Sequence, residues 1–114
     1  MSLNEVESNI LELASEDYYG LWEVCWKIQR LRPKDSAAEV RKICINAVRD
    51  LVQRGLIHLM RRRGPAGKET LLSENEILNV LNDVSSWEEP FKDSIQFLVG
   101  ATEEGKEVYY STFN

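Results

Sequence analysis

A chain of 114 residues that is 43% hydrophobic, with two cysteines and a net charge of −5, fits one ordered domain, residues 1–114. It excludes a solvated tail and a disulfide framework. The net charge hides a sorting. Between Lys27 and Lys68 twelve basic residues meet three acids (Asp35, Glu39, Asp50), a local +9, while the remainder holds sixteen acids against Lys92 and Lys106, a local −14.

Leu3 to Ser15 is predicted to be a helix, with Leu3, Val6, Ile10, Leu13 and Ala14 at helical spacing and Ser2 with Glu5 as its capping box. Asp17 is the expected N-cap of a second helix, Tyr18 to Arg32. Its inner stripe is Leu21, Val24, Cys25, Ile28 and Leu31, and Pro33 stops it. Lys34-Asp35 makes a turn, and Ser36 with Glu39 opens a third helix through a second capping box. Val40, Ile43, Cys44, Ala47, Val48, Leu51 and Val52 follow the i, i+3, i+4 pattern of an amphipathic helix, and Gly55 is its expected C′ residue.

A strand is expected from Ile57 through Met60 into Arg61-Arg62-Arg63, with turn chemistry at Gly64-Pro65-Ala66-Gly67. Thr70-Leu71-Leu72 returns as a short strand. Ser73 with Glu76 marks a further helix, roughly Glu74 to Val84, with Ile77, Val80, Leu81 and Val84 as its apolar face. Ser85 to Asp93 is an expected loop anchored by Trp87 and Phe91. Ile95 to Val99 is an expected strand. Thr102 caps a last helix whose first-turn acids, Glu103 and Glu104, suit the helix dipole. The fold class is thus α+β: mostly α with a small antiparallel sheet.

The order helix, helix, tight turn, long helix, Gly, strand, connection, strand resembles a winged helix-turn-helix. Leu51-Val52-Gln53-Arg54-Gly55-Leu56-Ile57 carries the resemblance. Ala101-Thr102-Glu103-Glu104-Gly105 adds an echo of the "L-T-x-E-G" step after the second wing strand in bacterial regulators of the MarR and PadR type. The likeness spans most of residues 3–110. It implies a third helix that enters the major groove and a basic wing that touches the DNA backbone or minor groove. Two features depart from the pattern. The helix after Leu72 interrupts the wing, and the turn before the third helix contains a proline beside an unusually aromatic second helix.

Helical geometry gives the third helix a core direction through Val40, Cys44, Ala47 and Leu51 and an opposite face of Lys42, Asn46, Arg49 and Gln53, flanked by Arg41. These side chains donate to phosphates and base edges, and they are also what any solvated helix face carries. Arg61, Arg62 and Arg63 form a candidate wing tip, or equally a charge-protected edge strand. Lys34 assists positioning. Local field rather than total charge sets phosphate affinity, so the basic block suits double-stranded DNA.

Tyr18, Trp22 and Trp26, with Tyr19 adjacent, widen the apolar arc of the second helix beyond the usual ~100°. Their cover is the chain's own core, a second subunit in a homodimer, or another protein. The acidic flanks either orient the basic face toward a polyanion, pair with it across a dimer, or dock a basic protein, as an antitoxin or immunity-type inhibitor would.

No constellation points to catalysis, so the expectation is not an enzyme. His58, the single histidine, is expected to be a satisfied structural residue. Cys25 and Cys44 lie on core stripes and are expected to be buried, inert thiols without zinc spacing. Gly64 to Lys68 lacks the spacing of a P-loop. No cofactor or metal is expected. No apolar run approaches the ~20 residues of a membrane span, so no membrane partner is expected. The N-terminus reads as acidic and helical rather than as a signal peptide, and the expected setting is the cytoplasm. The reading is a DNA-binding winged-helix regulator of a bacterial type. The alternative is a non-catalytic protein–protein interaction module, with Tyr19, Trp22 and Trp26 at the partner or dimer interface.

Overall fold

The computed structural model describes residues 3–113. Its elements are α1 (Glu5–Glu16), β1 (Tyr19–Gly20), α2 (Leu21–Leu31), α3 (Ala37–Gln53), β2 (Ile57–Arg63), β3 (Thr70–Leu71), α4 (Glu74–Asn82), a 3-10 turn (Val84–Trp87), β4 (Ile95–Ala101) and α5 (Glu103–Phe113). The fold class is α+β: five α-helices and one antiparallel sheet of order β1-β4-β2-β3 among the described residues.

Local chemistry sets most boundaries. Ser36 Oγ accepts from the Glu39 N–H at 3.1 Å, so the third helix starts where its capping box lies. Glu76 accepts from the Ser73 N–H and hydroxyl and opens α4 in the same way. Gly55 takes φ +74°, the left-handed step that a side chain would strain, and turns α3 into β2.

Four boundaries differ from the sequence reading. The first helix is capped by Asn4 with Glu7, whose two hydrogen bonds measure 2.8 and 3.0 Å; Ser2 lies outside the described residues. Asp17 does not cap α2. It ends α1, its carboxylate accepting from the Tyr18 N–H. Tyr19 and Gly20 then pair with Val99 and Leu98 of β4, and these sheet hydrogen bonds delay α2 until Leu21, where Glu23 accepts from the Gly20 N–H at 2.9 Å. The strand expected to end at Val99 runs on to Ala101, because Ile57 pairs with Ala101. Val84 belongs to the 3-10 turn and is exposed.

The core lies where α1, α2 and α3 pack on one another and on the sheet. Ile10, Leu21, Val24, Ile28, Val40, Val48 and Leu51 are fully buried with Leu56, Leu98 and Val99. Burying a side chain of this size stabilises by about 1.5–3 kcal/mol. Leu31, expected in this stripe, is exposed, because the chain turns away at Arg32. Arg63 pairs directly with Ile95, so residues 64–94 leave and rejoin the β2–β4 ladder at one end. The insert is held by Leu81, fully buried, and by Trp87, whose indole N–H donates to the Leu81 carbonyl at 2.9 Å. Phe91, the second expected anchor, is 86% exposed and anchors nothing.

Candidate nucleic-acid interface

The outward face of α3 carries Lys42, Asn46, Arg49 and Gln53, all exposed. Helical spacing alone puts them on one side, since positions three, four and seven apart share a face. The Arg49 guanidinium donates to the Asn46 side-chain Oδ1 at 2.9 Å, which ties the two side chains together on this face. Among the described residues neither Lys42 nor Arg49 forms an ion pair. Lys34 is exposed in the turn before α3. Arg41 is half-buried beside α2, so it belongs to the flank of this face and not to its centre.

The arginines of β2 are in a different state. Arg61 pairs with Glu76 of α4, and Arg62 with Glu69 at 3.5 Å. The register explains the second pair. Arg61 lies opposite Thr70 in the β2–β3 ladder, which brings Glu69 alongside Arg62. Arg62 is only partly exposed, and its Nε has no hydrogen-bond partner. Arg63 is exposed. Three adjacent cations therefore give one exposed charge and two that the insert's own carboxylates hold. Two Ser73 hydrogen bonds, then Arg61, hold the Glu76 carboxyl below its ordinary range.

Beneath α3 lies an acid pair that periodicity did not single out. Glu7 of α1 is buried and shares a hydrogen bond with Asp50 of α3. Burial first, and the proton shared with Asp50 second, push the Glu7 carboxyl above its ordinary range. Asp50 also pairs with Arg54 at 3.1 Å.

The aromatic face of α2 is divided. Tyr19 is tied into β1 and half-buried, Trp22 is half-buried, and Trp26 is 61% exposed with the Arg30 guanidinium 5.2 Å above its ring. Trp22, Trp26, Cys25, Glu23, Gln29 and Glu89 line an open groove of about 560 Å³. Of the two cysteines expected to be buried, inert thiols, one is buried as expected and the other only in part. Cys44 is fully buried, whereas Cys25 is only partly buried and lines this groove. His58, expected to be a structural residue, points outward from β2 and is exposed, since its neighbours Ile57 and Leu59 take the inward positions.

The two segments that suggested a family meet in space. The Thr102 hydroxyl donates to the Gly55 carbonyl at 2.6 Å, and its N–H donates to the Leu56 carbonyl at 3.1 Å. The same hydroxyl accepts from the Gly105 N–H. Gly105 is required there, because a Cβ would stand 1.9 Å from the Leu56 carbonyl oxygen. This clamp fixes α5 on the junction between α3 and β2.

No helix among the described residues is long and apolar enough to cross a membrane. No group of three His, Cys, Asp or Glu side chains among them converges as metal ligands. No family model, curated protein or solved structure matches the chain.

Proposed function

We propose that this chain is a winged-helix protein that binds double-stranded DNA, with α3 as the groove-entering helix, and that it acts as a transcriptional regulator. The observation that carries the reading is the outward face of α3. Four side chains able to donate to phosphates and base edges stand exposed there, and its two cations form no ion pair among the described residues. The clamp of Thr102 and Gly105 on Gly55-Leu56 supports the architecture, because it joins the two segments that resemble the MarR and PadR type. On this reading β2 and β4 are the wing strands, and residues 64–94 are an insertion at the wing's tip. Lys42 and Arg49 hold phosphates, Asn46 and Gln53 face base edges, and Lys34 and Arg41 flank the contact. Arg61 and Arg62 contribute little until they exchange Glu76 and Glu69 for phosphate.

The experiment is fluorescence anisotropy of a random-sequence duplex with the full chain at about 50 and about 200 mM salt. Each phosphate contact adds about −0.9 to the log–log slope, so affinity falls tenfold or more between the two conditions. Absence of binding at the lower salt would refute the reading.

A second reading has one observation in its favour. Trp26 is mostly exposed beside a groove with Glu23 and Glu89 on its walls, which suits contact with another protein or a second copy of this chain. Sedimentation of the chain across a concentration series tests the dimer form directly.

A further inference from the structure

β4 contains no charged residue, and part of its outer edge is open. The register shows which part. The Gly64 N–H donates to the Ser94 carbonyl at one end of the β2–β4 ladder, and the Thr102 N–H donates to the Leu56 carbonyl at the other, each at 3.1 Å. Backbone groups alternate sides along a strand. Gln96, Leu98 and Gly100 therefore bond toward β2, while Ile95, Phe97 and Val99 turn to the other side. There β1 pairs with Leu98 and Val99 and the chain then enters α2. No strand among the described residues covers Ile95 or Phe97 on that side. An uncharged edge is a template for pairing with another chain, and proteins ordinarily blunt it. The far edge of β2 is blunted in this way, by β3 and by Arg61, Arg62 and Arg63.

The open edge borders a cleft of about 390 Å³, lined by residues 94–97, by Trp22 and by residues of the 83–91 segment. Three of the lining residues are acids, Asp83, Glu88 and Glu89, and none is basic. None of the three acids forms an ion pair among the described residues. Lys92 lines a neighbouring hollow with Pro65 instead. Phe91 and Ile95 add exposed apolar surface. Hydrogen bonds hold both ends of the acidic segment in place. The Ser94 N–H and hydroxyl donate to the Phe91 carbonyl at 3.0 and 2.7 Å. The Ser85 N–H and hydroxyl donate to the Asp83 carboxylate at 2.9 and 2.8 Å.

We propose that this cleft docks an extended, basic peptide segment of another protein, which pairs with the β4 edge at Ile95 and Phe97 as an added strand. Main-chain hydrogen bonds supply the attachment, and side chains supply the selection. Lys or Arg of the segment meets Asp83, Glu88 and Glu89, and its apolar side chains meet Phe91 and Ile95. At about 3.3 Å per residue the edge from Ile95 to Phe97 pairs about three residues of the segment. Three unpaired carboxylates disfavour a polyanion at this site. The inference depends neither on DNA binding nor on the exposed ring of Trp26.

The probe is a fluorescein-labelled octapeptide of alternating Lys and Val, titrated with the full chain and read by anisotropy. Two further peptides separate charge from strand pairing. One carries Glu in place of Lys. The other is N-methylated throughout its backbone, which keeps the charge and removes the donors. The parent should bind saturably, and both controls should bind about tenfold more weakly or less. Amide hydrogen exchange at Ile95 and Phe97 should slow about tenfold or more at saturation. Glu88→Gln with Glu89→Gln should weaken the parent by about fivefold. Ile95→Pro removes an N–H that points away from β2, so the β2–β4 ladder should survive and peptide binding should fall about tenfold. Four results would overturn the proposal: no binding of the parent, equal binding of the N-methylated peptide, unchanged exchange at Ile95 and Phe97, or a chain already dimeric that the peptide dissociates, which would put a second copy on the edge. The N-methylated peptide decides the matter even if Ile95→Pro does not fold.

Discussion

The outer face of α3 and the end of β2 are both basic, and they differ in what their charges touch. Lys42 and Arg49 are exposed and form no ion pair among the described residues, and Arg49 is steadied by Asn46. Arg61 and Arg62 belong to a denser cationic run, yet Glu76 and Glu69 hold them. Both acids come from the segment inserted between Arg63 and Ile95. The comparison teaches that a run of arginines is a count, whereas a binding surface is a field. A cation paired within the chain offers a phosphate only the difference between two partners.

The largest effect should come from the unpaired face. Replacing Lys42 and Arg49 together by Ala would remove the two proposed phosphate contacts, so the salt slope should become shallower by about 1.8 and affinity at low salt should fall tenfold or more. Arg61→Ala with Arg62→Ala should shift the slope by less than about half that amount. An equal loss in both variants would break the comparison, and titration of one labelled duplex with each protein decides it.

The next effect sharpens it from the acidic side. Glu76→Gln keeps a side chain able to cap α4 and releases Arg61. Affinity for DNA should rise about two- to fivefold, with a steeper salt slope by up to about 0.9. Unchanged binding would mean that the β2 end lies away from the duplex whatever its charge.

A third test concerns the inner side of α3. Because the Glu7 pKa is raised in the folded state, folding favours its protonated form. That contribution is fully present below the unfolded value of 4.5 and is lost as the pH rises through the folded pKa. Glu7→Gln stays neutral at every pH. It should therefore raise Tm at pH 7, with the advantage shrinking as the pH falls toward the ordinary carboxylate range. Thermal melts of both proteins across that window measure it, and an advantage that grows on acidification would refute the assignment.

The smallest effect should be at Trp26. Trp26→Ala loses a cation–π contact with Arg30 and an exposed ring, so stability should change by about 1 kcal/mol or less. DNA affinity should not move. A loss of DNA binding would place the aromatic groove on the same surface as α3.

These contrasts also mark how far the sequence could be followed. The third helix was legible end to end, because Ser36, Glu39, the apolar stripe and Gly55 act through contacts a few residues away. The four outward side chains followed from its period, and all are exposed as expected. What escaped was set by distant partners. Tyr19 and Gly20 leave the helix that local propensity assigned them because β4, far along the chain, offers a ladder. Glu76 is visible as a capping residue, but its hold on Arg61 depends on how the insert folds back. Cys25 and Cys44 each fit a core stripe, yet Cys44 is fully buried while Cys25 lines an open groove. Phe91 carried a strong apolar signal and no periodicity, and it is exposed.

The most direct test of the central claim is the salt slope of random-duplex binding measured side by side for the wild-type chain and the Lys42→Ala/Arg49→Ala variant. The account predicts a steep slope in the first, reduced by about 1.8 in the second, with both proteins melting alike. Equal slopes in the two proteins would contradict it and remove α3 as the DNA-facing helix.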